Sequence, residues 1–189
     1  MTKYGMILSL IVLTVLLMTA FTSAHAGDSV KDKIKDASAY VHESESLLMD
    51  IAYKESRFNP EAYNRRSGAQ GLYQFIGSTW RYMVVTYGDA YGLTLDGRTD
   101  PYMAAIGAGL LVKEYRIRLQ RVLGRKVDNK EIYLAYFAGP SRAIAMIRAD
   151  DGTPIEDVLS GAAIRANPNL EGLTVGQAIS TITKGINNE

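Results

Sequence analysis

Apolar residues recur at helical spacing along this chain, and they never alternate with a period of two for long enough to predict a sheet. Local capping signals divide the pattern into separate helices. Asp100-Pro101 has the cap-then-proline order preferred at helix starts, and Asp128 with Glu131 has the spacing of a capping box, as has Thr174 with Gln177. The sequence therefore predicts a mainly α protein with one domain, without internal repeats or low-complexity linkers.

Residues 1–26 have the layout of a secretory signal. Lys3 supplies the positive start, Met6 to Phe21 the apolar run, and Ala24-His25-Ala26 a small-residue cleavage site. We expect export and cleavage after Ala26, which gives a periplasmic protein. An uncleaved segment would instead anchor the protein in the membrane.

Charge and residue usage exclude several classes of function. Of 21 Lys and Arg residues only Lys3 lies in the predicted signal, which leaves 20 basic residues against 20 acidic ones. This balance gives no support for a nucleic-acid partner held by bulk charge. There is no Cys, and His42 is the only His left after cleavage, so zinc sites with several His ligands and Cys-His or Ser-His-Asp systems cannot be built. No phosphate-binding glycine motif predicts a nucleotide. We expect no metal or cofactor, and carboxylates and tyrosines as the reacting groups of any enzyme.

One carboxylate stands out, at the end of a predicted helix from about Ser44 to Arg57. Glu55 follows an apolar stripe at helical spacing, formed by Leu47, Leu48, Ile51 and Ala52. Asn59-Pro60 then disfavours further helix, and a loop with two glycines follows. Burial there would raise the pKa of Glu55 and make it a general acid near neutral pH. Spacing alone leaves open a Glu that simply meets water.

Three motifs in order carry a resemblance to a known family. They are Ile51 to Pro60 with its Glu-Ser pair, Gly68-Ala-Gln-Gly-Leu-Tyr-Gln-Phe75, and Ala135-Tyr-Phe-Ala-Gly-Pro140. Gly92-Leu-Thr94 and Arg98-x-Asp-Pro101 lie between them in the expected order. Together they resemble the soluble lytic transglycosylase (SLT) family of peptidoglycan-cleaving enzymes, which shares its core fold with goose-type lysozyme.

The resemblance, which covers roughly residues 47–148, implies a lysozyme-like helical domain with Glu55 as the single acid/base residue. The implied reaction cuts the β-1,4 bond between N-acetylmuramic acid and N-acetylglucosamine and leaves a 1,6-anhydro sugar. Peptidoglycan is then the partner, and a secretion, conjugation or phage-derived envelope machine is a candidate setting. Two alternatives stay open: a water-using muramidase with a second carboxylate, for which Asp50 and Glu61 are nearest in sequence, and a glycan-binding module that does not cleave.

The resemblance also implies substrate contacts. The implied set is Ser56, Gly68, Gly71, Tyr73, Gln74 and Tyr136, with Asn64 and Ser67 as further candidates in the loop. The Tyr136 hydroxyl is expected near Glu55, where it could orient the carboxyl or the substrate acetamido group. Ser56 could instead fix the helix end, and Tyr73 could instead be packing. Phe137 departs from the family pattern, which has Asn there, and this puts local substrate contacts in doubt.

The predicted divisions are a surface or mobile lead-in helix in residues 27–43, the SLT domain in residues 44–150, and a C-terminal helical extension in residues 151–189 packed on the same domain. Leu72–Phe75 and Ser78–Thr86 are predicted as short helices, followed by an irregular connection over residues 88–99. Gly107 and Gly109 are predicted to allow close helix contact in a long helix that ends at Leu123.

Overall fold

The computed structural model describes residues 29–188, and the predicted signal segment lies outside that range. The helices are α1 Val30–Val41, α2 Glu45–Ser56, α3 Gly77–Tyr91, α4 Pro101–Leu123, α5 Asn129–Ala138, α6 Pro140–Arg148, α7 Gly161–Ala166 and α8 Val175–Thr183. Short 3-10 turns cover Leu95–Thr99, Ile155–Asp157 and Pro168–Leu170, and strands β1 (Tyr63–Asn64) and β2 (Ala69–Gln70) form an antiparallel pair. The prediction of a mainly α protein is confirmed, and a two-residue ladder is too short to leave a period-two pattern.

Helix α4 is the centre of the fold. The Asp100 side chain accepts from the Met103 N–H at 2.8 Å, which caps the first turn, and Gly124 ends the helix with φ 70°. Every residue from Ala104 to Val112 is buried, so this part of α4 meets protein on all sides. The start and end predicted from the sequence are confirmed.

Two glycines let neighbouring helices approach α4. A Cβ at Gly107 would lie 2.8 Å from the Trp80 ring of α3, and one at Gly109 would lie 2.6 Å from a Val41 methyl of α1. Both distances are shorter than carbon atoms tolerate, so the predicted role of these glycines is confirmed.

Helix α1 contributes to the core. Its apolar side is fully buried at Ile34 and Ala37, and Val41 packs against α4. Ser29 caps the helix through a reciprocal bond with Asp32. Lys31, Lys35 and Tyr40 on the other side of this helix are exposed, so α1 is a helix on the surface of the domain, which was one of the two predicted alternatives. The other alternative, a mobile lead-in, is wrong, because the three apolar residues form a stripe that the long central helix covers.

The segment from residue 72 to residue 99 differs from the prediction. Leu72 to Phe75 is a turn in which the Gln70 N–H donates to the Phe75 carbonyl, and it is not helical. Helix α3 begins at Gly77 without a side-chain cap, so Ser78 is not its cap, and it continues to Tyr91. The predicted end at Thr86 is too early because Gly88 lies inside the helix, and Gly92 provides the left-handed end.

The C-terminal residues join α2 to α5. The predicted capping boxes at Asp128 and Thr174 are both present, and α8 packs against α5. After α8 the Asn187 N–H donates to the Asp50 carboxylate of α2 at 2.8 Å, and Asn129 of α5 donates to the Asn187 carbonyl at 3.1 Å. The two helices that carry the site below are therefore held by the same tail.

Candidate active site

Glu55 lies in the last turn of α2. The helix ends because Arg57 and Phe58 both take left-handed backbone angles, with φ 54° and 63°. The Arg57 N–H still bonds back to the Tyr53 carbonyl at 2.9 Å, which closes the final turn. The preceding apolar stripe is fully buried, so Glu55 is placed at the inner edge of the helix end, as the sequence predicts.

Tyr133 holds the Glu55 carboxyl. Its hydroxyl donates to Glu55 Oε1 at 3.0 Å from helix α5, 78 residues further along the chain. Burial raises the pKa of Glu55, while the Tyr133 hydrogen bond and the charge of Lys54 pull that pKa back down. Burial and the nearby Glu55 raise the pKa of Tyr133, so the phenol stays neutral and remains a donor. The pair therefore consists of a carboxyl that retains its proton more readily than usual and a fixed donor.

Tyr136 has a different partner from the one expected. Its hydroxyl donates to the Tyr73 carbonyl at 2.7 Å, and its ring lies nearly parallel to that of Tyr133 with centroids 6.4 Å apart. Tyr136 still borders the groove that contains Glu55. The expected orienting bond to Glu55 is thus made by Tyr133, and Tyr136 fixes the backbone of the glycine loop.

Glu55 opens into a groove of about 640 Å³. The predicted residues Gln74 and Tyr136 border it together with the loop candidates Asn64 and Ser67. Apolar and aromatic residues also border the groove, among them Phe75, Leu111 and Tyr115. Such a mixture of flat apolar surface and amide and hydroxyl groups suits a sugar chain, which presents both C–H faces and hydroxyls.

Four other predicted contact residues have structural roles: Tyr73, Ser56 and the loop glycines Gly68 and Gly71. The Tyr73 side chain is 0% exposed and donates to the Leu48 carbonyl, so Tyr73 is packing. The Ser56 hydroxyl lies within hydrogen-bond distance of the carbonyls of Ala52 and Leu72, at 3.1 and 2.8 Å, and so fixes the helix end.

The loop glycines shape the loop and do not border the groove. Gly71 has φ 80°, and a Cβ there would lie 2.4 Å from the Arg98 carbonyl oxygen. Gly68 has φ 69°, and its N–H donates to the Asn64 carbonyl in the tight turn between β1 and β2. Gln74, also left-handed at φ 49°, donates from its amide to the carbonyls of Ala62 and Gly71. The loop is therefore held rigid at the edge of the groove.

Phe137, where the resemblance implies an Asn, is an aromatic side chain that is 39% exposed. It borders the groove and also two smaller recesses beside it. An amide at this position could hydrogen-bond a sugar substituent, whereas a phenyl ring offers an apolar face.

Other carboxylates do not join Glu55 within the part of the chain that the structure describes. Glu61 is exposed and does not border the groove. Asp50, the other candidate second carboxylate, accepts from the Asn187 backbone and side-chain amides and does not border the groove, so it has a structural role. Residues 29–188 contain no group of three or more His, Cys, Asp or Glu side chains arranged to hold a metal ion. No helix in this range is long and apolar enough to cross a membrane.

Sequence reasoning missed Tyr133. The available signal was its spacing: Tyr133 and Tyr136 are three residues apart on one helix, so both rings lie on one side of α5. The resemblance pointed to Tyr136 alone. Which of two hydroxyls reaches the carboxyl depends on the tilt of α5 against α2, which no local pattern records.

The chain was compared with models of known protein families. The model described as the transglycosylase SLT domain matches residues 32–158, which include Glu55, the glycine loop and both tyrosines of α5. Enzymes of this family are generally glycan-cleaving transglycosylases that act on peptidoglycan. Because the match covers most of the chain and includes the site just described, this protein belongs to the transglycosylase SLT domain family.

Proposed function

We propose that this protein is a lytic transglycosylase that cleaves the β-1,4 bond between N-acetylmuramic acid and N-acetylglucosamine in peptidoglycan and forms 1,6-anhydromuramic acid. The observation that carries the proposal is the Glu55–Tyr133 pair at the edge of the groove. Glu55 is the one carboxylate among the described residues that border this groove, so its chemistry must serve both steps of a cleavage.

The first step requires a proton on Glu55. Burial raises the pKa of this carboxyl, which increases its protonated fraction near neutral pH and allows it to protonate the leaving glycosidic oxygen. Tyr133 donates to Oε1, so we assign the proton transfer to Oε2. The 2-acetamido group of the muramoyl sugar stabilises the developing oxocarbenium ion, as a second carboxylate does in ordinary glycosidases.

The second step uses the same residue as a base. After the first transfer Glu55 is a carboxylate, and the Tyr133 hydrogen bond stabilises this charged form. Glu55 then takes the proton from the muramoyl 6-hydroxyl while that oxygen attacks C1. The bond from C1 to the leaving oxygen is replaced by a bond from C1 to O6, and no water is consumed.

The products separate this reaction from the alternatives. Purified mature protein is expected to clear peptidoglycan embedded in a gel, and Glu55→Gln is expected not to. Glu61→Gln is the matched control, because Glu61 is an exposed carboxylate six residues further on that does not border the groove. Mass spectrometry should find 1,6-anhydromuramoyl ends. Reducing muramoyl ends would identify a water-using muramidase, and intact glycan would identify a binding module.

Export is part of the proposal. Residues 1–26 carry the signal layout, and the substrate lies outside the cytoplasm. Fractionation of cells that express the full chain should recover a periplasmic protein whose first residue is Gly27. A protein of full length in the membrane fraction would instead identify an anchor. A local cut of this kind would suit a secretion, conjugation or phage-derived machine that crosses the wall.

A further inference from the structure

A second recess of about 380 Å³ lies beside Glu55 and has no part in the mechanism above. It is bordered by Tyr53 and Lys54 of α2 and by Arg57 just after that helix, by Tyr133 and Phe137 of α5, and by the end of α8 with Lys184. Phe137 borders both the recess and the groove, so the two are adjacent. Tyr133 also borders the recess, and its hydroxyl donates to Glu55, so the recess lies close to the catalytic carboxyl.

The recess is cationic in a chain whose charges otherwise balance. Lys54, Arg57 and Lys184 border it, and no acidic residue within residues 29–188 does. The neighbouring acid on α2, Asp50, is engaged by the backbone and side-chain amides of Asn187. Apart from Glu55 itself, the site therefore presents positive charge on this side.

Two of these cations are held in place. Lys54 Nζ donates to the Lys184 carbonyl at 2.7 Å and lies 5.1 Å from the centre of the Tyr133 ring. The Arg57 guanidinium lies 5.0 Å from the Tyr53 ring centre and donates through one nitrogen to the Tyr53 hydroxyl at 2.6 Å. A guanidinium has five N–H donors, so Arg57 keeps donors for a carboxylate.

The glycan backbone itself gives such a recess little to bind, because its sugar rings are uncharged. The groups that carry carboxylates are the peptides attached to the lactyl ether of N-acetylmuramic acid, which leave the glycan next to the scissile bond. We infer that this recess binds the carboxylates of the muramoyl peptide stem, so that the protein cleaves peptide-substituted strands in preference to strands without stem charge. The inference rests on the proposed function and assigns Arg57 and Lys184 as specificity residues.

The test uses two variants of the whole mature chain. Lys184→Gln removes a charge but keeps the backbone carbonyl that holds Lys54, and Arg57→Gln with Lys184→Gln removes both exposed cations. Arg121→Gln with Lys126→Gln is the matched control, since both residues are exposed and border neither the groove nor the recess. Thermal unfolding of each variant verifies the fold.

Soluble uncross-linked strands are the substrates, and kcat/KM is measured by release of cleaved ends. One set carries native stems, a second carries stems whose amines are acetylated and whose carboxylates are methylamides, and a third has the stems removed by an amidase. Exposed ion contacts are individually weak, and two of them together correspond to a kcat/KM about fivefold higher for native stems than for methylamide stems in the wild type. The Arg57/Lys184 double variant should bring this ratio close to one, Lys184→Gln should lie between, and the control should keep the wild-type ratio. Raised ionic strength should reduce the preference.

Equal cleavage of native and methylamide stems by the wild type overturns the inference and leaves the proposed function standing. A preference that the double variant retains also overturns it. Strands without stems carry only the lactyl carboxylate. If the wild type prefers these strands over methylamide stems as strongly as it prefers native stems, the recess binds the lactyl carboxylate and the peptide assignment is rejected. If the wild type cleaves none of the three substrates, both the inference and the proposed function are overturned.

Discussion

Replacement of Tyr133 by Phe tests the central pair directly. The change removes the hydroxyl that donates to Glu55 Oε1 and keeps the buried ring. A hydrogen bond to a charged group contributes about 1.5–3 kcal/mol. Because 3.0 Å is at the long end for an O–H donor, we take the lower value, which corresponds to about a tenfold loss in kcat.

The same substitution should move the pH profile. The Tyr133 bond stabilises the ionised carboxylate and so lowers the pKa of Glu55; its loss raises that pKa further. Glu55 must be protonated in the free enzyme to act as the acid. The alkaline limb of kcat/KM should therefore shift to higher pH in Tyr133→Phe, measured by end release from soluble strands over a range of buffers.

Tyr136→Phe is the matched control on the same helix. It removes a hydroxyl that donates to the buried loop at the Tyr73 carbonyl, so it should lower stability by roughly 2 kcal/mol, or about 4–8 °C in Tm. Its alkaline limb should stay at the wild-type position. If Tyr136→Phe moves the limb and Tyr133→Phe does not, the assignment of the orienting residue is refuted.

Three further outcomes are expected. Glu55→Gln should raise the free energy of unfolding at neutral pH by about 1 kcal/mol. Burial raises the folded-state pKa of Glu55, so the ionised carboxylate destabilises the fold at neutral pH, and Gln removes that cost. Urea titrations should show the stability gain of Glu55→Gln disappear as the pH falls below the pKa of Glu55 in the unfolded chain. A stability gain that persists in acid would contradict this. Gly71→Ala should lower the free energy of unfolding by more than about 2 kcal/mol, because its Cβ would meet the Arg98 carbonyl. Gly68→Ala, which has a similar φ but open space around its Cβ, should lower it by about 1 kcal/mol. Equal losses in the two variants would contradict the close approach at Gly71. Ser56→Ala should cost about 1–2 kcal/mol by thermal unfolding, through loss of the bond between helix end and loop, and an unchanged Tm would refute that role.

The site could be predicted in part. An apolar stripe and a helix stop, both of which are local, mark Glu55 as a candidate, and the family resemblance implies its catalytic role. The residues around it were assigned from the motif to which they belong, and the structure separates them. Gln74 and Tyr136 border the groove, whereas Tyr73 and Ser56 do not, and their hydroxyls donate to backbone carbonyls of Leu48 and Leu72. Adjacent residues in a motif take opposite directions, because the loop turns sharply at Gly71 and Gln74.

The helices show the same division. Capping signals located the boundaries at Asp100, Asp128 and Thr174 correctly, because a cap bonds to residues within three positions of itself. The extent of α3 was missed because its first turn has no side-chain cap and Gly88 suggested an end. The partly buried rings of Tyr87 and Tyr91 pack against the core on either side of Gly88, and this packing outweighs the weak local preference of one glycine.

By itself the sequence determined a chain of capped helices, a candidate acid at the end of one of them, and the absence of the side chains that other catalytic systems need. The tertiary structure decided that Tyr133 rather than Tyr136 holds that acid, and that the C-terminal tail ties α2 to α5. The physical reason is the sequence separation of the residues that interact. Helix caps and apolar stripes depend on residues a few positions apart, whereas the pKa of Glu55 depends on burial and on a hydroxyl that only the packing of distant helices brings to it.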